Sequence, residues 1–185
     1  MEILIYVSKI TNRLFYIIEL ILKEELVISF KFTTDKEKYL SHEGPKMHYG
    51  KSPLENDNGL FLQSVNLLFE RDIADQDVKL CKYNETKAIF PVFNDNSILP
   101  FDVLAASFYI ITRYEEYLPH VSDQYNRFQP QDSILYKMEA FETPIINIWA
   151  KELGEIIKSK YPDIQLKKKT FKFVPTYDID AAWAY

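Results

Sequence analysis

The first 32 residues run apolar, amphipathic, apolar, and that order admits few folds. Ile3 to Val7 is a short apolar run of the kind a buried strand uses. Thr11 or Asn12 can serve as an N-cap, after which Leu14, Ile17, Ile18, Ile21, Leu22 and Leu26 recur at helical spacing with charged residues between them. Val27 to Phe32 is rich in residues that suit a pleated surface. Strand, helix, strand over about 30 residues is a βαβ unit, which implies a parallel sheet with a helix laid across it. The expected fold class is therefore α/β: a mostly parallel sheet with flanking helices in three layers, flavodoxin-like or related. At 185 residues and 47% hydrophobic, the chain has material for such a core, since a chain of this size hides roughly 70% of its unfolded surface.

The rest of the chain adds elements with less regularity. Thr33 to Asn58 is polar and broken by Gly44, Pro45, Gly50 and Pro53, which predicts a loop around one short strand at Lys46 to Tyr49. Leu60 to Phe69 is apolar at both periods, so strand and helix are equally open there. Ala88 to Phe93 reads as a strand between polar turns. Asp102 is placed to cap a helix over Val103 to Leu118, which Pro119 ends, and whose first half is apolar almost all round. Thr143 as N-cap and Pro144 at the first helical position mark a last helix, ended by Tyr161 and Pro162. Phe171 to Tyr177 then reads as a strand.

Charge and composition exclude several function classes. Lys plus Arg number 22 against 27 acidic residues, a net charge of -5, and the one basic run is Lys167 to Lys169. Nucleic acid is thus not an expected partner. The N-terminus has Glu2 where an export signal needs positive charge, and the apolar stretch Leu14 to Leu22 is too short for the ~20 residues that cross a bilayer. No membrane partner and a cytoplasmic location are expected. Cys81 stands alone, which rules out an intrachain disulfide and a four-thiolate metal site. The four glycines never form a phosphate-cradling loop, so a dinucleotide or P-loop enzyme is not expected.

The residues best suited to chemistry stand near the C-terminal end. Asp178 and Asp180 are separated by Ile179, and on extended chain a D-x-D pair points one way. One such acid can hold a divalent metal while the other acts as base toward metal-activated water. The structural alternative is that Asp180 caps a helix beginning at Ala181.

The run Phe173-Val174-Pro175-Thr176-Tyr177-Asp178-Ile179-Asp180 resembles the first motif of the NodB-homology polysaccharide deacetylases, carbohydrate esterase family four. The resemblance implies that Asp178 is the general base and Asp180 a metal ligand, in a site where the parent enzyme would carry a divalent metal such as zinc. The common family form has adjacent acids followed by glycine, whereas Ile179 and Ala181 stand at those positions here. Asp102, Phe108, the run Thr112 to Leu118, Asp123, Asn126-Arg127-Phe128, Pro144 and Trp149 resemble the uncharacterised domain that precedes the deacetylase domain in a group of Bacteroidetes proteins. The two resemblances together imply an accessory α/β domain over residues 1–165 and, over 166–185, the first strand and motif of a deacetylase barrel. The family also needs a later His-x-x-x-His pair, which His42, His48 and His120 do not form. No cofactor is expected in this chain itself.

His42 and His48 flank the Gly44-Pro45 turn and read as exposed loop residues, while His120 follows Pro119 at a helix end, where it suits the terminal carbonyls. Arg113, Glu116 and Tyr117 share a helical face, and with Glu115, Asp123 and Arg127 they can form a polar network tying the following loop to the helix. The alternative is a sugar or nucleotide-sugar site built from those acids and arginines with Tyr114, Tyr117, Tyr125 and Phe128. Three functions follow: an accessory domain of a deacetylase-like protein whose partner is its own catalytic domain, a carbohydrate-binding module, or a scaffolding and oligomerisation domain.

Overall fold

The structure, a computed structural model, describes residues 2–166 and 171–178. Strand β1 (Glu2–Tyr6) pairs in parallel with β2 (Ser29–Thr33), Ile3 standing beside Phe30 and Ile5 beside Phe32. On its other side β1 pairs in parallel with β3 (Lys46–Gly50), which pairs with β4 (Leu60–Gln63). The order β2-β1-β3-β4 is the order of the first four strands in flavodoxin-like sheets. The expected α/β class and parallel sheet are both present. Two of the expected elements keep their caps: Thr11 Oγ1 accepts from Leu14 N at 3.1 Å to start α1 (Asn12–Ile18), and Asp102 starts α3 (Val103–Ile111).

Alternation along the strands sorts their side chains into two faces. Ile3, Ile5, Val7, Met47, Tyr49, Leu60 and Leu62 belong to the main core, together with apolar residues of α1, α3 and α5 (Ile145–Lys160). Trp149 of α5 is fully buried there, its ring 5.1 Å from that of Phe101. Leu4, Tyr6, His48 and Phe61 alternate onto the opposite face, under the short helix α2 (Lys36–Leu40) and its Tyr39. A small hairpin, β5 (Leu80–Tyr83) with β6 (Thr86–Ile89), stands outside the main sheet. No described helix is long and apolar enough to cross a membrane.

Several expectations are corrected. The helix expected over Val103 to Leu118 stops at Ile111: Thr112 Oγ1 donates to the Phe108 carbonyl at 2.7 Å, and Arg113 adopts a left-handed backbone (φ 52°, ψ 43°), after which Tyr114–Tyr117 forms only a 3₁₀ turn. The polar stretch after β2 contains α2, capped by Asp35, whose carboxylate accepts from Lys38 N at 3.1 Å. A second unexpected short helix, α4 (Ile134–Met138), is capped by Ser133. Leu60 to Phe69 divides into β4 and a 3₁₀ turn at Leu67–Phe69. The last long helix has Pro144 rather than Thr143 at its N-cap position, with no side-chain capping bond.

His48 is not an exposed loop residue. It lies on β3 with 5% of its surface exposed, within ring contact of Tyr6, Tyr39 and Phe61, and its Nδ1 is buried without a hydrogen-bond partner. Burial holds its pKa down at about 4, with Lys36 adding to the fall and Asp57 opposing it. Residues 171–178 take no regular structure, so the strand expected at Phe171 to Tyr177 is absent: the stretch pairs with no strand of either sheet. A strand owes its existence to its neighbour's hydrogen bonds, and among the described residues none is offered.

Candidate functional site

Asp102 and Glu115, one before α3 and one just after it, define two different environments. Asp102 is fully buried. Its Oδ1 accepts from Ala105 N at 3.0 Å, and its Oδ2 from Val65 N and the Tyr49 hydroxyl, both at 2.7 Å. One carboxylate thus ties the start of α3 to β3 and to the chain leaving β4. Burial pushes its pKa up to about 6, against the pull of those donors. With its near neighbours all satisfied by protein, Asp102 has no path to a ligand and reads as a structural keystone.

The other end of α3 opens outward. The left-handed turn at Arg113 swings Tyr114–Tyr117 away from the helix axis. The Tyr114 hydroxyl accepts from Ala74 N at 3.0 Å and lies 3.1 Å from the Ala74 carbonyl, which fixes residues 73–75 beside the turn. Glu115 Oε2 accepts from Ile134 N at 2.8 Å, at the first turn of α4. Between these pinned segments lies a cleft of about 810 Å³, a size in the range of small-molecule sites. Tyr109 is in its floor and Tyr117 on its rim, with Glu115, His120 and Phe128 along the wall.

Glu115 is half-buried, and burial raises its pKa, with the Ile134 N–H and Lys137 opposing the rise. Tyr109 has 4% of its surface exposed and its hydroxyl makes no hydrogen bond among the described residues. Its pKa is pushed upward by burial and then by the carboxylates of Glu115 and Asp75, so the hydroxyl keeps its proton and remains a donor. His120 Nδ1 lies 2.8 Å from the Leu118 carbonyl and must donate to it, so in the neutral ring Nε2 is the acceptor. That imidazole and the Phe128 ring stand edge to face with their centroids 5.1 Å apart.

The polar residues singled out in the sequence do not form one network. Arg113 pairs with Glu116 across the left-handed turn. Asp123 and Arg127 form a separate unit: Asp123 Oδ1 accepts from the backbone N–H groups of Tyr125 (2.8 Å) and Arg127 (2.9 Å), and Oδ2 meets the Arg127 guanidinium at 2.8 Å. Those contacts, led by the Arg127 N–H, hold the Asp123 carboxyl below its ordinary range. The Arg127 guanidinium covers the Tyr125 ring at 4.8 Å. Only Glu115 of the named acids and arginines reaches the cleft.

Asp178 stands at the end of the exposed stretch 171–178, and Asp180 lies outside the described residues. Among the described residues no three His, Cys, Asp or Glu side chains come together as a metal site. Asp178 by itself supplies too few donors for zinc, which takes four ligands, so the described residues do not fit a divalent metal.

Residues 3–162 match DUF7033, described as a family of unknown function. The chain belongs to the DUF7033 family. No curated protein and no solved structure matches it. The matched region takes in the five α-helices and the cleft of the described residues and, but for Glu2 at the start of β1, both sheets, and it stops before the stretch 171–178. Within this DUF7033 fold the sequence pointed to Glu115, Tyr117 and Phe128, but Tyr109, Asp75, Asp132 and Lys137 were missed. The available signal was a hydroxyl-bearing ring inside a helix whose only other polar side chain is Ser107.

Proposed function

We propose that this DUF7033 chain is a non-catalytic accessory domain of a polysaccharide deacetylase-like protein, and that it holds and orients the catalytic unit to which residues 171–178 belong. The observation that carries this reading is the state of that stretch. Phe171, Phe173, Val174 and Tyr177 are 93%, 80%, 72% and 84% exposed. In the body of the domain exposed aromatics such as Phe93 and Tyr125 stand singly, whereas here four large apolar side chains fall within seven residues. Contiguous apolar side chains left in water mark a surface made to be covered. Phe171, Phe173 and Tyr177 fall at alternating positions, so an extended chain would turn all three to one side. Inserted as the first strand of a barrel, the stretch would gain backbone partners and a core together. It would also carry Asp178 to a strand's C-terminal end, where barrel sites are built.

In that setting the resemblance assigns Asp178 the work of taking a proton from the attacking water and Asp180 that of holding a divalent metal, which would polarise the acyl oxygen. The accessory domain contributes position rather than chemistry. Two measurements test this. The 185-residue chain, supplied with zinc and an acetylated glycan, is expected to release no acetate; steady metal-dependent release contradicts the reading. The reading frame past Tyr185 is expected to encode further strand–helix units and a His-x-x-x-His pair, and a stop codon in its place overturns it.

A further inference from the structure

The cleft at the end of α3 plays no part in the accessory role, and its chemistry points to a ligand. The Tyr109 side chain is 96% buried, makes no hydrogen bond through its hydroxyl among the described residues, and is not one of the buried polar atoms left without a partner, so that hydroxyl meets the cleft's water beside the carboxylates of Glu115 and Asp75. Glu115 has one oxygen committed to Ile134 N, while Oε1 makes no hydrogen bond among the described residues. His120 presents Nε2 as an acceptor. At the rim, the Tyr117 ring is 67% exposed. The cleft thus combines a hydroxyl donor on an otherwise buried side chain, free acceptors and an aromatic face, a set suited to a ring that carries hydroxyls on its edge and C–H bonds on its faces.

Charge narrows the ligand class. Asp75, Glu115 and Asp132 line the cleft against the single ammonium of Lys137, and the arginines that could have met a phosphate are paired elsewhere, Arg113 with Glu116 and Arg127 with Asp123. A nucleotide-sugar or sugar phosphate would bring like charge to these carboxylates. A protonated amine would be attracted both to them and to the Tyr117 face. We propose that this cleft binds a short glycan of amino sugars, with Tyr117 stacked on a pyranose face, the Tyr109 hydroxyl and Glu115 Oε1 bonded to ring substituents, and the wall carboxylates taking the ammonium.

The test is calorimetric titration of the 185-residue chain with a glucosamine trimer, its N-acetylated counterpart, a neutral glucose trimer and spermidine. The glucosamine trimer is expected to bind, with the acetylated and neutral trimers and spermidine each at least about tenfold weaker. Tyr117→Ala and Tyr109→Phe should each weaken binding about tenfold while leaving far-ultraviolet circular dichroism unchanged, since one side chain is exposed and the other loses only an unpartnered hydroxyl. Glu115→Gln keeps an acceptor for Ile134 N and should also lose affinity. No heat with the glucosamine trimer, equal binding of the neutral trimer or of spermidine, or wild-type affinity in Tyr117→Ala overturns the proposal.

Discussion

Asp102 precedes α3 and Glu115 follows it, and the same residue chemistry has been put to opposite uses. Asp102 is surrounded by donors from three different parts of the chain and sees no solvent. Glu115 gives one oxygen to α4 and turns the other toward an open cleft. A carboxylate whose lone pairs are taken by backbone and tyrosine holds a fold together. One left half-satisfied beside an unpartnered phenol can hold something else. The contrast separates keystone from candidate site without appeal to conservation, and each side of it can be broken by substitution.

The largest effect is expected from Asp102→Ala. It strands the Tyr49 hydroxyl and the N–H groups of Val65 and Ala105 in the core and removes a helix cap, a loss of about 4 kcal/mol. Urea unfolding at neutral pH should show it; a loss below about 1 kcal/mol would mean that water reaches those donors. Tyr49→Phe removes one of the three bonds and should cost about 1 to 2 kcal/mol by the same measurement.

A pH series probes the buried groups on both faces of the sheet. The His48 pKa is depressed to about 4 from 6.5, so the fold favours the neutral ring, and this contribution is complete above pH 6.5 and lost as pH falls toward 4. Asp102 is raised to about 6 from 3.8, so the fold favours its protonated form, and stability from this group rises as pH falls through 6 toward 3.8. The two therefore oppose each other between about pH 6.5 and 4. His48→Phe removes one of them, and its stability relative to wild type should climb steadily as pH is lowered across that window. A constant difference contradicts the buried, neutral His48.

Smaller effects belong to the outward end of α3. Arg113→Gly relieves a left-handed residue at roughly 1 kcal/mol and gives up an exposed ion pair of about 0.5 kcal/mol, so thermal unfolding should shift upward slightly or not at all. Tyr117→Ala should change stability by less than about 0.5 kcal/mol, because the ring is mostly in water.

Much of the frame was legible because it obeys a period. The spacing of Leu14 to Leu26 and the apolar runs on either side gave β1, a helix and β2, and with them the parallel sheet, although the helix is α only over Asn12–Ile18 and widens to a π-helix over Glu19–Glu25. Caps were legible where a single side chain does the work, as at Thr11 and Asp102. Helices α2 and α4 were not, since five residues are too few to show a period. The early end of α3 was hidden because Arg113 has no local reason to turn left-handed; the turn is fixed by the contacts of Tyr114 and Glu115 with residues 74 and 134. The burial of His48 depends on Tyr6, Tyr39 and Phe61 from three separate elements. The cleft escaped for the same reason, its walls coming from segments around residues 74, 109, 117, 128 and 137. Phe171 to Tyr177 has a strand's alternation, but alternation does not supply a neighbour.

That stretch is also where the account is most exposed to test. If residues 171–178 serve a second unit, the DUF7033 body owes them nothing. The decisive measurement compares equilibrium urea unfolding of the 185-residue chain with that of the same chain ended after Leu166. The account predicts midpoints and slopes that coincide, a difference within about 0.5 kcal/mol. A loss of several kcal/mol on removing the stretch would show that it packs as part of this domain, and would contradict the account.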